Sequence, residues 1–368
     1  DRLPTVALGA QAARQGLPEA QGGGVSEQYS VDLGITAFEL DLFGRVRNLS
    51  DAALQRYLAE EQAQRATQLV LIAEVARAWL TLAADRELLR LAEQTLETEQ
   101  RGFELITRQH ELGAVSGLVL SQARTTVGTA RVDAARFEGN VARDINALTL
   151  LAGAPVPEAL VPESFDVDAV GLPELPVALP SEVLLRRPDV VAAEHRLRAA
   201  NADIGAARAA FFPSISLTGS VGTASDELSD LFGSGSGSWS FIPRINLPIF
   251  QGGRLSAALG VAKVDRDIAL ADYERSIQAG FREVADALAL SRTLSEQLDA
   301  QEALLAAAQR AHRLSEARYE AGLDSFLVLL DAQRTLYAAQ QSVVATQLAE
   351  QANRVTLYKA LGGGWKED

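Results

Sequence analysis

Cysteine and methionine are both absent from this 368-residue sequence, and histidine occurs only three times, at His110, His195 and His312. Without cysteine there is neither a disulfide framework nor a thiolate metal site. So few histidines also exclude a His-rich catalytic centre, and we place all three on helix surfaces. We therefore expect no cofactor and no bound metal.

Basic charge is scarce as well. The chain has 34 Lys and Arg against 48 Asp and Glu, a net charge of -14, which argues against a nucleic-acid partner. The sequence begins at Asp1, with no signal peptide and no lipid-accepting N-terminal cysteine. We interpret it as a fragment of a longer precursor, in which any lipid anchor would precede Asp1.

A long uninterrupted apolar segment is also missing. The best candidate for a transmembrane helix, 69–84, contains Glu74 and Arg77, whereas a spanning helix needs about 20 mostly apolar residues. We therefore expect no transmembrane helix. If the protein crosses a membrane, it must do so as a closed β-barrel.

Proline is missing from two long stretches. Seven of the twelve prolines lie between Pro155 and Pro188, none lies between Pro18 and Pro155, and none follows Pro248. Because proline inside a helix costs about 3 kcal/mol, the two proline-free stretches predict long helices. The segment 155–188 is predicted to be a connector.

The two halves of the chain resemble each other at a constant offset. Pro4 and Pro213 lie 209 residues apart (213 − 4 = 209), and the same offset joins Arg45 to Arg254, Gly113 to Gly322, and several further pairs. Such an offset indicates two tandem structural repeats. Only three residues precede Pro4, so we expect the first repeat to lack the leading helix of the second.

Each repeat is predicted to run strand, strand, long helix, turn, shorter helix. The strands alternate apolar with small polar residues, and the helices lack turn signals over lengths on the order of 100 Å. The first repeat, 1–154, has predicted strands 3–16 and 28–42 and helices 45–112 and 116–152. The second, 189–364, has helix 189–211, strands 213–224 and 238–250, and helices 254–321 and 325–361.

Four amphipathic strands are too few to close a barrel, since about eight is the smallest workable number. Three protomers would supply twelve strands, and their long helices would continue the tube as an α-helical barrel. The heptad spacing of the last helix (Leu329, Ala332, Leu336, Ala339, Val343, Thr346) predicts coiled-coil packing. The polar strand faces would line a water-filled lumen.

Several motifs resemble those of outer-membrane efflux proteins of the TolC/OprM type. They are residues 39–45 (ELDLFGR), 179–189 (LPSEVLLRRPD), 206–217 (AARAAFFPSISL), 329–334 (LLDAQR) and 357–365 (LYKALGGGW). The resemblance implies a homotrimer with a twelve-stranded barrel in the outer membrane of a Gram-negative bacterium and a long periplasmic α-helical barrel. It also implies outer-membrane lipid around the barrel and partners in a periplasmic adaptor (membrane fusion) protein and an inner-membrane RND-type pump. The family is a passive exit duct for drugs and other small toxic molecules, without catalytic residues.

Two helix–helix turns combine a glycine suited to a helix C-terminus with a serine suited to the next N-cap. From the residues alone, a plain αα-hairpin and a functional turn are equally good interpretations of each. The resemblance places both at the periplasmic tip where the adaptor docks, which assigns docking to Leu112, Gly113, Ala114, Ser116, Ala321, Gly322, Leu323 and Ser325.

The resemblance also assigns a pore constriction to Arg318, Tyr319, Leu327 and Asp331. In a trimer, Asp331 would form a ring of three carboxylates and Leu327 an apolar ring, while Arg318 and Tyr319 would tie neighbouring helices. The offset positions in the first repeat are Leu118 and Gln122, so the acid is not duplicated. The plain alternative for Asp331 is a solvated helix charge.

Three other functions remain open at this stage. Within the same class, the chain could be a duct for type I protein secretion or for metal-ion efflux. From another class, a soluble coiled-coil scaffold would explain the helices but not the alternating strands. Glu74 and Glu283, which are repeat-equivalent, are interpreted as helix-surface or lumen-lining charges.

Overall fold

A computed structural model describes residues 2–17, 24–165 and 185–363. The described chain contains four strands and five α-helices. In order these are β1 (Val6–Leu17), β2 (Gly24–Leu40), α1 (Arg45–Glu111), α2 (Gly117–Ala152), α3 (Pro188–Ala209), β3 (Ser214–Ser225), β4 (Gly237–Asn246), α4 (Arg254–Glu320) and α5 (Phe326–Ala360).

The helices follow the 209-residue offset closely. The long helices α1 and α4 begin at Arg45 and Arg254 and each has 67 residues, where the sequence predicts 45–112 and 254–321. The shorter helices α2 and α5 begin at Gly117 and Phe326. The absence of proline and of turn residues thus fixes the helix ends to within one or two residues.

The strand ends differ more from the predictions. β2 begins at Gly24 rather than at 28, and β1 ends at Leu17 rather than at 16, because their pairing continues as far as Leu17 opposite Gly24. β4 ends at Asn246 rather than at 250. Pro248 follows two residues later, and proline has no N–H group to donate to a ladder.

The four strands form one antiparallel sheet in the order β1-β2-β3-β4. β2 pairs with β3 across the two repeats, from Tyr29 opposite Ser225 to Leu40 opposite Ile215. The register shifts between Ile35 and Phe38. Within this bulge Ala37 has φ +50°, and its amide donates to Thr218 Oγ1 at 3.1 Å, which offsets part of the strain of that conformation.

Compact units in the structure do not follow the two repeats. One unit combines Asp1–Ala63 with Asp189–Ser276, and the other combines Gln64–Pro188 with Ile277–Asp368. The predicted division at 154 and 188 therefore describes sequence repeats and not compact units. We name the units the sheet unit and the helical unit.

In the sheet unit, α3 packs closely on the first part of α1. A Cβ atom on Gly205 would lie 2.5 Å from Asn48 Oδ1, so a larger residue would displace the Asn48 side chain, which donates to the Gly44 carbonyl. His195 Nδ1 lies 2.6 Å from Gln55 Oε1. His195 is half-buried in this contact, and His312 is also half-buried, so only His110 matches the expected exposed surface position.

In the helical unit, α1 and α5 share a hydrophobic cluster of Ala73, Leu80 and Val355. The described part of the proline-rich connector lies on α1, because Trp79 Nε1 donates to the Leu160 carbonyl at 3.0 Å. Residues 166–184 of the connector lie outside the described residues. The predicted coiled-coil positions of α5 are buried or half-buried, with Ala339 and Val343 at 3% and 8% exposure.

Among the described helices, α1 is long and apolar enough to span a membrane, judged by length and composition alone. This differs from the expectation that no such helix exists. A single helix of this kind is weak evidence for a membrane span, since core helices of water-soluble proteins pass the same test.

Candidate functional site

The sheet has one apolar and one polar face, which follow from its register. Leu8 lies opposite Leu33, Leu33 opposite Val221, and Val221 opposite Trp239, so apolar side chains continue across all four strands. The other face carries small and polar residues, among them Gln11, Ser30, Asp32, Ser220 and Ser240. Side chains alternate between faces with period two, so each strand contributes to both.

The apolar face is open to its surroundings within one chain. Leu8 is 74% exposed, Trp239 78% and Phe241 62%. The outer strands β1 and β4 each pair on one side only within the described sheet. An uncovered apolar face of this kind is suited to contact with an apolar environment. The two unpaired edges can each accept a further strand by backbone hydrogen bonding.

Both helix–helix turns have the same backbone, which the paired Gly and Ser predicted. Gly113 and Gly322 adopt φ +74° and +73°. After each glycine, the amide of the next residue donates to a carbonyl five residues back, from Ala114 to Gln109 at 2.8 Å and from Leu323 to Arg318 at 2.9 Å. This is the Schellman arrangement, which satisfies the last carbonyls of a helix.

The serines after these glycines behave differently. Ser116 is the N-cap of α2, and its hydroxyl accepts from the Val119 amide at 3.4 Å. Ser325 occupies the same position before α5, but its side chain makes no capping hydrogen bond. The predicted side-chain cap is therefore present at the first turn and absent at the second.

The second turn has a contact that the sequence analysis missed. Arg318 donates to the Asp324 carboxylate through Nε at 2.6 Å and Nη2 at 2.9 Å. Within the protomer, Arg318 thus pairs inside its own turn, whereas we expected it to tie neighbouring helices. The corresponding positions of the first turn are Gln109 and Val115, which cannot form this pair. The sequence did contain a signal for this ion pair: a basic and an acidic residue lie six positions apart, on either side of Gly322.

The charges of this pair shift each other's titration. The hydrogen bond from Arg318 lowers the pKa of the Asp324 carboxyl, and that contact raises the pKa of Arg318. Next to them, burial raises the pKa of the Tyr319 hydroxyl. The Tyr319 ring packs against Phe326, with the ring centroids 5.8 Å apart.

Of the residues assigned to the constriction, Arg318 and Tyr319 end α4 before the second turn, and the others lie on the helices that follow the two turns. Leu327 and Asp331, one helical turn apart on α5, are exposed. In the described residues the Asp331 carboxylate makes no ion pair, while its carbonyl accepts from Thr335 Oγ1 at 2.9 Å. On α2, Leu118 is exposed and Gln122 is half-buried. Leu112 and Leu323, which the sequence analysis assigned to docking, lie at the turns themselves and are 85% and 67% exposed.

Glu283, interpreted from the sequence as a helix-surface or lumen-lining charge, is paired with a buried arginine in the structure. Arg187, only 6% exposed, donates to Glu283 Oε2 and to the Ala360 carbonyl, at 2.9 and 2.8 Å. This buried guanidinium joins the connector to α4 and to the end of α5. The repeat-equivalent Glu74 is half-exposed, 3.9 Å from the exposed Arg77.

No group of three or more acidic, His or Cys residues in the described parts of the chain is arranged to hold a metal ion. The site is instead made of surfaces: an amphipathic sheet in one unit and two exposed helix–helix turns in the other.

Comparison with known proteins places these surfaces in a family. The family model described as outer membrane efflux protein matches residues 1–154 and 179–363. The chain is 49% identical to the toluene efflux pump outer membrane protein TtgC of Pseudomonas putida over 371 residues, covering all of this chain and 76% of that protein. It is 45% identical to outer membrane protein OprJ of Pseudomonas aeruginosa, covering all of this chain and 78% of that protein.

The fold is also similar to a solved channel. The open state of the Neisseria gonorrhoeae MtrE outer membrane channel superposes with a TM-score of 0.89 at 43% identity, covering 99% of this chain and 81% of that one. The mostly helical protomer with a four-stranded sheet is therefore that of TolC-like outer-membrane channels.

Proposed function

Because the chain belongs to the outer membrane efflux protein family, we propose that it is one protomer of a passive duct through which an efflux pump exports small toxic molecules. It is located in the outer membrane, as its relatives are. One relative is named for toluene efflux, which favours apolar solvents and drugs as cargo here. The duct catalyses no reaction, and the pump supplies the energy.

The observation that carries this proposal is the open amphipathic sheet. β1 and β4 leave two unpaired edges, and unpaired backbone groups are not tolerated in lipid. Three copies joined edge to edge would form a closed barrel of twelve strands. Their apolar faces would contact lipid, and their polar faces would enclose water.

The two exposed turns support docking of a periplasmic adaptor. Leu112 and Leu323 present apolar side chains on rigid Schellman turns, and rigid apolar anchors suit a protein interface. Leu112, Gly113, Ala114 and Ser116, with Ala321, Gly322, Leu323 and Ser325, form the proposed docking surface for the adaptor that links the duct to an RND-type pump.

Leu327 and Asp331 support a constriction beside these turns. Both are exposed in the protomer, which leaves them free to face a pore. In a trimer they would form an apolar and an acidic ring, with Leu118 and Gln122 from the first repeat adding neutral side chains. Three close carboxylates repel one another, so a cation or a hydrogen-bond donor should accompany the ring.

The duct is tested by its assembly and its conductance. Full-length protein in detergent should be trimeric by native mass spectrometry and should form water-filled channels in planar bilayers. A folded monomer that protects its strands from hydrogen exchange in detergent would contradict the closure of the sheet by three copies.

The constriction is tested separately. Asp331→Ala combined with Leu327→Ala should raise single-channel conductance and admit a large antibiotic into cells. The matched variant at the first-repeat positions, Leu118→Ala with Gln122→Ala, should leak less because it removes no charge. Glu302→Ala, an exposed position on α4, is the neutral control. Wild-type conductance in the first variant, at normal trimer abundance, would remove these residues from the constriction.

A further inference from the structure

The first helical hairpin has an acid where the second has an amide. Asp144 lies on the buried side of α2, seven residues after Phe137 and four before Leu148, which are 6% and 4% exposed. The position 209 residues later is Asn353, whose Nδ2 donates to the Ala287 carbonyl at 2.8 Å. The amide is thus satisfied in the second hairpin.

The acid is not satisfied in the same way. Asp144 Oδ2 is enclosed, and as an ionised carboxylate oxygen it has no hydrogen-bond partner in the described parts of the chain. Asp85 of α1 faces this part of α2: it accepts from Asn140, one helical turn before Asp144, and its carboxyl acts on the pKa of Asp144. Asp85 is another carboxylate, which cannot donate unless one of the two acids holds a proton. In the second hairpin Asp85 is replaced by Leu294, which is buried.

Few compensating charges surround the pair. Asn140 Nδ2 lies 3.5 Å from Asp85 Oδ1, and Arg143 of α2 donates to the Asn140 side chain. Arg86, next to Asp85 on α1, donates to the Pro162 carbonyl. Burial first, and then the hydrogen bond and charge of Asp85, raise the pKa of Asp144 to about 6, against a smaller lowering by Arg143. No charged group of α4 or α5 is among the causes that shift the pKa of Asp144.

We propose that Asp85 and Asp144 form a carboxyl pair that shares one proton and fastens α1 to α2 in mildly acidic surroundings. With the proton, one acid donates to the other and the enclosed oxygen is satisfied. Without it, two like charges face each other in a partly apolar contact, and the helices separate locally. The pair is a pH-sensitive contact of the first hairpin and does not depend on the proposed duct function.

The sign of the effect follows from proton binding. Folded Asp144 keeps its proton up to about pH 6, whereas the unfolded chain releases it near its ordinary value of about 3.9. The shared proton therefore contributes its full stability below that ordinary value. This contribution is lost as pH rises through about 6.

The experiment compares thermal unfolding of the full-length protein in detergent between about pH 5 and pH 7.5. The wild-type midpoint should fall by about 2 °C across this range. The midpoint of Asp144→Asn, which copies Asn353, should be flat. Glu138→Gln removes an exposed acid of α2 and should follow the wild type. Parallel curves for the wild type and Asp144→Asn would overturn the proposal.

A second measurement covers the case in which Asp144→Asn folds poorly. Infrared spectroscopy of the wild type at about pH 5 should show a protonated carboxyl band that disappears by about pH 7. In Asp85→Asn the band should disappear at a lower pH, because burial alone then holds the proton. Asp85→Leu combined with Asp144→Asn transfers the second-hairpin residues and should unfold at a higher temperature than the wild type at pH ~7.5. A protonated band that persists in Asp85→Asn with the wild-type pH dependence would also overturn the shared proton.

Discussion

The two repeats share a backbone and differ in the polar contacts that hold it. At the start of α1, the Asp41 carboxylate accepts from the amides of Val46 and Arg47, at 3.1 and 2.7 Å. The position 209 residues later is Phe250, which has no acceptor for the start of α4. The helices α1 and α4 are equal in length, but α1 begins with a side-chain cap from Asp41 and α4 has no such cap at the equivalent position.

Similar differences occur farther along. Among the described residues, the Arg318–Asp324 pair belongs to the second turn alone, the buried Arg187 pairs with Glu283 of α4, and Asp144 of α2 has an amide, Asn353, at the equivalent position of α5. Apolar spacing and turn glycines are common to both repeats and set the backbone. Polar side chains then give each repeat its own contacts, so equivalent positions are expected to respond differently to the same substitution.

The largest difference is expected at the glutamates Glu283 and Glu74. Arg187→Ala should cost about 3 kcal/mol in the free energy of unfolding, because it leaves the Ala360 carbonyl and Glu283 without their donor. Arg77→Ala, beside Glu74, should cost less than about 0.5 kcal/mol, since that pair is exposed. Urea denaturation of both variants measures this difference, and equal losses would mean that Arg187 adds nothing beyond a surface pair.

The helix starts should differ by a smaller amount. Asp41→Ala should cost about 1 kcal/mol because two amides of α1 lose their acceptor. Asp41→Asn, which retains a side-chain oxygen, should recover most of it. Hydrogen exchange of the first turn of α1 reports the loss locally, with the first turn of α4 as the internal reference. Unchanged exchange in Asp41→Ala would show that solvent replaces the cap.

A still smaller difference in stability is expected between alanine variants of the two N-cap serines. Ser116→Ala removes the hydroxyl that accepts from Val119 and should destabilise α2 by about 0.5 kcal/mol. Ser325→Ala should be neutral, because its hydroxyl caps nothing. Thermal unfolding of the two variants under the same conditions measures this difference. A larger loss of stability for Ser325→Ala would contradict the assignment of the side-chain cap to Ser116.

The smallest effect on global stability is expected at the exposed Arg318–Asp324 pair. Asp324→Asn should speed hydrogen exchange of the second turn and leave the first unchanged. Because Arg318 lowers the pKa of Asp324, the contact is complete above the ordinary pKa of an aspartate and is lost as pH falls through the lowered value. Relative to the intrinsic exchange rate at each pH, protection of the second turn should therefore fall in acid, while protection of the first turn stays constant. If both turns respond equally to acid, the pair does not distinguish them.

The sequence predicted the helices well and the side-chain partners poorly, for physical reasons. Long proline-free stretches allow one regular structure, so α1 and α4 were placed within one residue of their ends. Glycine and serine in sequence defined the turn backbones. In contrast, Arg187 and Glu283 are 96 residues apart, and no local pattern joins them. The strand ends were predicted less well, because β1 and β2 pair as far as Leu17 opposite Gly24, past the apolar alternation, whereas β4 stops at Asn246, before Pro248.

The pairing of β2 with β3 also has a consequence for how the chain becomes structured. Tyr29 and Ser225 are neighbours in the sheet, yet most of the chain lies between them. Such contacts of large sequence separation form slowly, because a long loop must close before they contribute. The first half can build its helices by itself, but its two strands form only a hairpin, which is marginal in water. The sheet therefore forms only after the second half is available. Until then, the apolar face and the unpaired edges of the first two strands need protection from other chains.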